Sequence, residues 1–428
     1  MKKQLLAASL VAVVSSIGCR VGAQEASSCS SRVTRSNAVP CVLAASLAVK
    51  AEGQELEAAE ARSKAVSHLL PSNPVLRLGA SSRSAAGVAG VYNWDAALSQ
   101  EFEIAGQRGI RREAAQAEVD AQAKRVLIAR RDVAAAAWIA YFNALTAHEE
   151  QRLAGRLTTA TQMVSVVAHA RADKGLIAPV DADVADAITL RVLQAKLESD
   201  RRVATADAHL LSLLGLDPTR GTLAVAGELV PIAGVEAAAA SLIPRAPTER
   251  LEVLALDAER KAFELRADAY RRTRIPNPTV SVYAQNDGFN EHVLGVAIAF
   301  PVPLPGNVGR TYAGEIAEAE ALARRVETDR ERVGREIRLE ILVAAQAYAS
   351  RAKEVQAFTP ERVTRAEETL RSLGEEVEAG HLGVRDAVVA QQAMIELLQA
   401  NVASRRAWCV ASVDLARAAG LSLEGGMH

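Results

Sequence analysis

Leu98, Gln100, Phe102 and Ile104 fall on one face of an extended chain, and Ser99, Glu101 and Glu103 on the other. That is the period-two pattern of a strand. Past Gly106 the alternation stops, and a charged, alanine-rich pattern runs to residue 174. The same succession recurs later. Val280, Val282 and Ala284 alternate with Ser281 and Tyr283, and Leu294, Val296, Ile298 and Phe300 share one face, before a second alanine-rich stretch. These patterns predict strands over about 75–82, 94–105, 279–285 and 292–301, and long helices over 107–174 and 310–379. At ~1.5 Å per residue each long helix would extend roughly 100 Å. Gly155 and Pro360 are expected to weaken or kink the two helices at the same height. The links "SRSAAGVAGVYN" and "NDGFNE" have the Gly/Ser/Asn character of exposed hairpin loops.

The recurrence is a tandem duplication. "PSNPVLRLGAS" answers to "RIPNPTVSVYA", with Pro74 and Pro278 204 residues apart, and "GQRGIRREAAQAE" to "GNVGRTYAGEIAEAE". "KGLIAPVDADVAD" around Gly175 matches "AGHLGVRDAVVA" around Gly380, and "LLGLD" at Gly215 matches "AAGLS" at Gly420, both at an offset of 205. Each copy opens with a helix, 43–70 or 247–273, ended by an Asn-Pro that forces extended backbone. Two strands and the long helix follow. A Gly-bearing turn then leads to a return helix, 180–214 or 384–419. The expected organisation is a signal segment 1–23, a flexible leader 24–42, repeats 43–216 and 247–421 around a turn-rich connector 217–246 with one short strand, and a tail 422–428.

Composition sharpens this. Half of the 428 residues are hydrophobic yet only 4% are aromatic. Alanine supplies much of the apolar total, which suits long helices packed closely side by side. Fifty basic and 51 acidic residues leave a net charge of −1, so no bulk charge attracts nucleic acid. Lys2 and Lys3 precede an apolar run at 5–17 that is too short to span a membrane, which marks an export signal. Two cleavage sites fit: before Cys19, where "SIGC" resembles a lipoprotein box and would leave Cys19 acylated, or after Ala23 in "VGA". In an oxidising compartment Cys29 and Cys41 either pair or remain idle thiols of the leader. Cys409 reads as a small core residue.

The strands have the alternation and the length, about nine to eleven residues, of strands that cross an outer membrane. In lipid every backbone donor and acceptor must be paired, so such a sheet must close. Four strands cannot close, since barrels begin at about eight; several protomers must share one barrel. With its paired "NP" strand hairpins, "LSQEFEIAGQR", long helices and Gly-bearing tips, the chain after residue 45 resembles the TolC-type outer-membrane efflux factors. The strand ending "SQEFEIAGQRGIRR" is most similar to the heavy-metal subgroup, the outer-membrane component of cobalt–zinc–cadmium efflux systems. The fold class implied is mainly α with a small β part: tandem TolC-like repeats whose helical hairpins form a periplasmic α-barrel, and four strands per protomer in a trimeric twelve-stranded transmembrane β-barrel. The partners implied are a homotrimer in outer-membrane lipid, a periplasmic adaptor, and an inner-membrane pump of the resistance–nodulation–division type. The export of heavy-metal cations is the implied cargo. A duct for drugs or for protein secretion would have the same fold. A soluble periplasmic coiled-coil protein would explain the helices but not the duplicated strands.

The resemblance directs attention to the helical tips, "GLIAPVD" and "GHLGVRD". Gly175, Leu176, Gly380 and Leu382 would meet the adaptor's hairpins. Asp181, Asp183, Asp186 and Asp386 follow the tips, where carboxylates also stabilise a helix N-terminus on backbone grounds alone. In a trimer each would be tripled into a ring that attracts cations and gates the pore. Family entrances carry an aspartate six residues after the tip glycine, matched by Gly380 to Asp386; the second aspartate one turn on is replaced by Val389. Trp94, Tyr92, Tyr283 and Phe289 suit either an interfacial aromatic girdle or ordinary loop packing. The stripe Ile337, Ile341, Ala344, Tyr348 and Val355 reads as helix packing. Nothing points to an enzyme. The seven histidines, His68, His148, His169, His209, His292, His381 and His428, lack metal-ligand spacing, and no G-x-S-x-G, P-loop or G-x-G-x-x-G occurs. No cofactor is expected.

Overall fold

The computed structural model describes residues 32–221, 223–286, 291–306 and 308–424. The signal segment, Cys19, Cys29, Phe289 and His428 lie outside them. In the first copy β1 (Val33–Thr34), α1 (Ala38–Ala45) and α2 (Leu47–Ala65) lead to the hairpin β2 (Val75–Ala85) and β3 (Val88–Glu101). Then come the long α3 (Gln107–Asp173) and its return α4 (Pro179–Leu213). The connector holds β4 (Val225–Ala226), α5 (Val235–Leu242) and α6 (Ala246–Glu249). The second copy repeats the plan with α7 (Leu251–Thr273), β5 (Thr279–Asn286), β6 (His292–Ala299), α8 (Ala313–Gln356), α9 (Pro360–Glu378) and α10 (Val384–Ala419).

Four features depart from expectation. Part of the expected flexible leader is ordered: β1 pairs in parallel with β4, and Val33, Val39 and Val42 are buried. Cys41 in α1 is disulfide-bonded. The first helix of copy one stops at Ala65, where Val66 and Ser67 fold back onto the carbonyls of Arg62 and Lys64. The long loop expected between the first two strands is strand almost throughout, turning at Ala86–Gly87 with Gly87 at φ +83° and a register shift between Arg83 and Ala85. Gly155 does not interrupt α3, whereas the helix of copy two breaks ahead of Pro360. Proline lacks the donor and clashes with the preceding turn, while glycine costs only about 1 kcal/mol. Thr359 caps the new start by accepting a hydrogen bond from the Arg362 N–H.

The turn from strand to long helix is built at one point. Gly106, at φ +72°, ends the extended run. Gln107, buried, takes the Ala105 N–H on its Oε1 at 2.9 Å and donates from Nε2 to Asn277 Oδ1 at 2.9 Å. Asn277, of the second Asn-Pro, in turn donates to Glu101 Oε1 at 2.7 Å. The two copies are therefore stitched together where both hairpins meet the helices.

The core lies at mid-length of α3, where alanines at three-to-four spacing give way to Trp138, Tyr141 and Phe142. Trp138 and Phe142 stack at 5.6 Å. Trp138 Nε1 donates to the Leu423 carbonyl at 3.1 Å, and the Tyr141 hydroxyl to that of Ala226 at 2.8 Å. Three of the chain's few aromatics thus hold α3 to the connector and to the C-terminal segment. Cys409 is fully buried there, its thiol pushed up to about 12 by desolvation. Ile337, Ile341 and Ala344 are buried helix-packing residues, and Tyr348 is half-buried against the core.

Candidate functional site: an amphipathic sheet and two helical tips

The strands form one antiparallel sheet in the order β2-β3-β5-β6. Its register places Leu76, Leu98, Val282 and Val296 in one row, and Leu78, Ala96, Ala284 and Leu294 in the next. Val280 with Ile298 and Ala80 with Trp94 extend the same face. It is apolar, yet Leu78 is 72% exposed, Leu294 80% and Val296 68%. The opposite face carries Arg77, Asp95, Ser99, Ser281, Gln285 and Glu101, with Ser281 Oγ 2.9 Å from Ser99 Oγ. Two glycines on this polar face make room for large neighbours: a side chain at Gly79 would overlap Asp95, and one at Gly295 the ring of Tyr283. Tyr92, Trp94 and Tyr283 are thus divided, the first two on the apolar face and Tyr283 on the polar one. Among the described residues β2 and β6 are paired on one side only. A sheet that exposes leucine and valine on one face and hydrogen-bonding groups on both edges lacks its surroundings. Among the described residues no helix is long and apolar enough to cross a membrane.

At the far end of α3 the chain reverses at Gly175 (φ +69°), whose N–H donates to the Ala172 carbonyl at 2.8 Å while that of Leu176 reaches Arg171 at 2.9 Å. Gly380 (φ +78°) does the same after α9, with the His381 N–H donating to the Glu376 carbonyl at 3.0 Å. These are left-handed helix ends that only glycine adopts cheaply. Leu176 is exposed at its tip, whereas Leu382 is half-buried against the core. The two tips touch: Arg171 donates from its guanidinium to the Val377 carbonyl.

The four aspartates do not form one cluster. Asp181 and Asp386 occupy matching places in the first turns of α4 and α10, and neither helix has a side-chain cap. Asp181 instead accepts from Arg385 Nε at 2.6 Å, an ion pair joining the two return helices. Asp386 and Asp183 are exposed. Asp186 turns back onto α3, accepting from Ser165 Oγ at 2.5 Å and lying 2.8 Å from His169 Nε2. The hydrogen bond from Ser165, then that from His169, holds the Asp186 carboxyl below the usual carboxylate range, and Asp186 raises the His169 imidazole. Arg385 and His169 were not picked out by sequence reasoning. At the offset of 205 Arg385 answers to Val180 and His169 to Gly374, so the duplication did not mark either residue. Among the described residues no group of three or more His, Cys, Asp or Glu could hold a metal ion.

No protein-family model and no curated protein sequence matches the chain. Solved structures do. The chain is similar to CusC, a protein described for its transmembrane channel formation, at 14% identity over 90% of this chain and 91% of that one, with a TM-score of 0.71. It is similar to the outer-membrane protein VceC of Vibrio cholerae at 16% identity over 91% and 96%, TM-score 0.67. The open-state MtrE outer-membrane channel of Neisseria gonorrhoeae matches at 15% identity over 90% and 88%, TM-score 0.69. The fold is therefore that of outer-membrane channels along nearly its whole length.

Proposed function

We propose that the chain is one stave of a homotrimeric outer-membrane duct, working passively with a periplasmic adaptor and an inner-membrane pump of the resistance–nodulation–division type. The observation that carries this reading is the sheet: an exposed apolar face, a polar opposite face and two open edges. Three copies supply twelve strands, which closes the edges, turns the apolar face to lipid and leaves the polar face to line a lumen. The long helices continue the tube into the periplasm, and Gly175, Leu176, Gly380 and Leu382 stand where the adaptor's hairpins meet it. Heavy-metal cations are the proposed cargo, on the strength of the strand ending "SQEFEIAGQRGIRR". A duct need not coordinate what it passes, so no metal cluster is required of it.

The proposed entrance gives its aspartates different tasks. Asp181 with Arg385 is a latch between the two hairpins, and Asp183 and Asp386 supply exposed negative charge at the mouth. Extraction from outer membranes in mild detergent is expected to give a species of three times the mature chain mass that dissociates only on heating. A soluble monomer would sink the duct. In planar bilayers Asp181→Ala with Asp386→Ala is expected to raise single-channel conductance and reduce cation preference. Unchanged conductance and selectivity would reduce both residues to helix-start carboxylates. Loss of zinc, cobalt or cadmium tolerance on deletion, restored by the gene, tests the cargo separately.

A further inference from the structure

The helices α3 and α4 carry two His–Asp pairs at one antiparallel register. His148 Nε2 lies 3.0 Å from Asp207 Oδ1, and His169 Nε2 2.8 Å from Asp186 Oδ2. The histidines are 21 residues apart on α3 and the aspartates 21 apart on α4. Three heptads separate the pairs, so both fall on the same side of the helical seam. The second copy has neither: Lys353 and Ser412, then Gly374 and Gln391, stand at the matching positions. What copy two keeps is the backbone bond. Ser412 Oγ accepts from the Ile232 N–H at 3.0 Å, as Asp207 Oδ2 accepts from that of Leu223 at 3.0 Å. The Asp207 end is thus a fixed anchor, fully buried and bound to the connector. The Asp186 end is exposed, near the tip, on the same first turns of α4 that carry Asp181.

We propose that His169 is a proton-operated clasp on the first hairpin, holding the start of α4 to α3 while its imidazole is charged and releasing it as the imidazole becomes neutral. The charges facing His169 are Asp186 and Asp183 from α4 and Asp173 from α3 itself. Arg171, the nearby cation of α3, is engaged with the Val377 carbonyl of α9. The hydrogen bond to Asp186, then its charge, raises the imidazole against a small opposing effect of burial, and Asp173 and Asp183 add to it. A histidine raised by folding contributes below its unfolded value of about 6.5 and loses that contribution as pH rises through the higher folded value. Asp186, held low, stays ionised throughout. Acid therefore tightens the hairpin, and a rise in pH through the raised folded value loosens it. The consequence for transport rests on the duct reading, since loosening α4 frees the residue that latches Arg385.

The test is amide hydrogen exchange of the full chain in detergent from pH 5.5 to 8.5, corrected for intrinsic exchange and read over residues 176–190. In the native protein opening of this segment is expected to rise about two- to five-fold with pH, the scale of an exposed ion pair. High salt should shrink the change. His169→Asn should hold the high-pH opening at every pH, and His148→Asn should keep the native response at the tip. A flat native profile, or an unchanged response in His169→Asn, overturns the clasp. A protein that conducts but whose tip ignores pH refutes the clasp and spares the duct; one that conducts nothing yet shows the His169-dependent response does the reverse.

Discussion

Gly155 and Gly380 put the same residue under opposite demands. Gly155 lies inside α3 with nothing within 4 Å of where a Cβ would stand. Gly155→Ala should therefore stabilise, by about 0.5–1 kcal/mol, through lower backbone entropy in the unfolded chain. Gly380 is left-handed at φ +78°, and Gly380→Ala should cost about 1–2 kcal/mol. Opposite shifts of the thermal midpoint in detergent would bear this out; a fall with Gly155→Ala would show that the helix needs its weakness there. At this scale the sequence was legible at the tip glycines, at the second Asn-Pro just past the end of α7 and in buried Cys409, but not at the first Asn-Pro, since the helix ahead of it already ends at Ala65. It was illegible for Arg385 and His169, because a partner 204 or 17 residues away is chosen by the register of packed helices and leaves no local pattern.

Between elements one extended tie is ionic. Arg250, buried, bonds to Glu252, to Glu340 Oε2 at 2.6 Å and to the Ala418 carbonyl at 3.1 Å, while Arg131 of α3 meets Glu252 at 2.8 Å. One network joins α3, α7, α8 and α10. Burial alone would push Glu252 up; the hydrogen bonds and charges of Arg250 and Arg131 outweigh it and hold it at about 2. A carboxyl lowered by folding contributes above its unfolded value of about 4.3 and loses that contribution as pH falls toward 2. Arg250→Met takes one of two cations from each carboxylate, leaving Glu252 to Arg131 and Glu340 to Arg417, and should cost about 1.5–3 kcal/mol at neutral pH. The gap between native and variant denaturation midpoints should close between pH 4.3 and 2; a gap independent of pH over that range would mean the loss is one of packing. The elements themselves were legible because each long helix repeats its apolar spacing many times. Their ends were less so. Gly155 and Pro360 looked alike as weak points, but only proline removes a donor, and "SRSAAGVAGVYN" looked like loop because its small residues suit a loop and a strand alike.

In the whole molecule the sheet and the helices obey different rules of burial. The sheet exposes a whole apolar face, whereas the helices bury one apolar stripe within the chain and leave others open, Val166, Leu190, Leu339 and Leu342 among them. A charge placed on each face in turn tests whether the two meet lipid and water, as the proposed barrel requires. Val296 lies mid-strand on the apolar face, opposite Val282. Arginine at the centre of a lipid-facing strand costs about 2–4 kcal/mol, so Val296→Arg repeated three times would remove about 6–12 kcal/mol from an inserted trimer. Gln285, on the polar face and also exposed, would face the lumen of the proposed trimer. Gln285→Arg should leave insertion intact and lower cation preference. Fractionated membranes and unheated gels would read both variants at once: Val296→Arg lost from the outer membrane with its heat-dissociable trimer, Gln285→Arg retained there. If both variants assembled alike, the exposed leucines and valines would face something other than lipid, and the twelve-stranded barrel would have to be given up even though every helix stayed where it is.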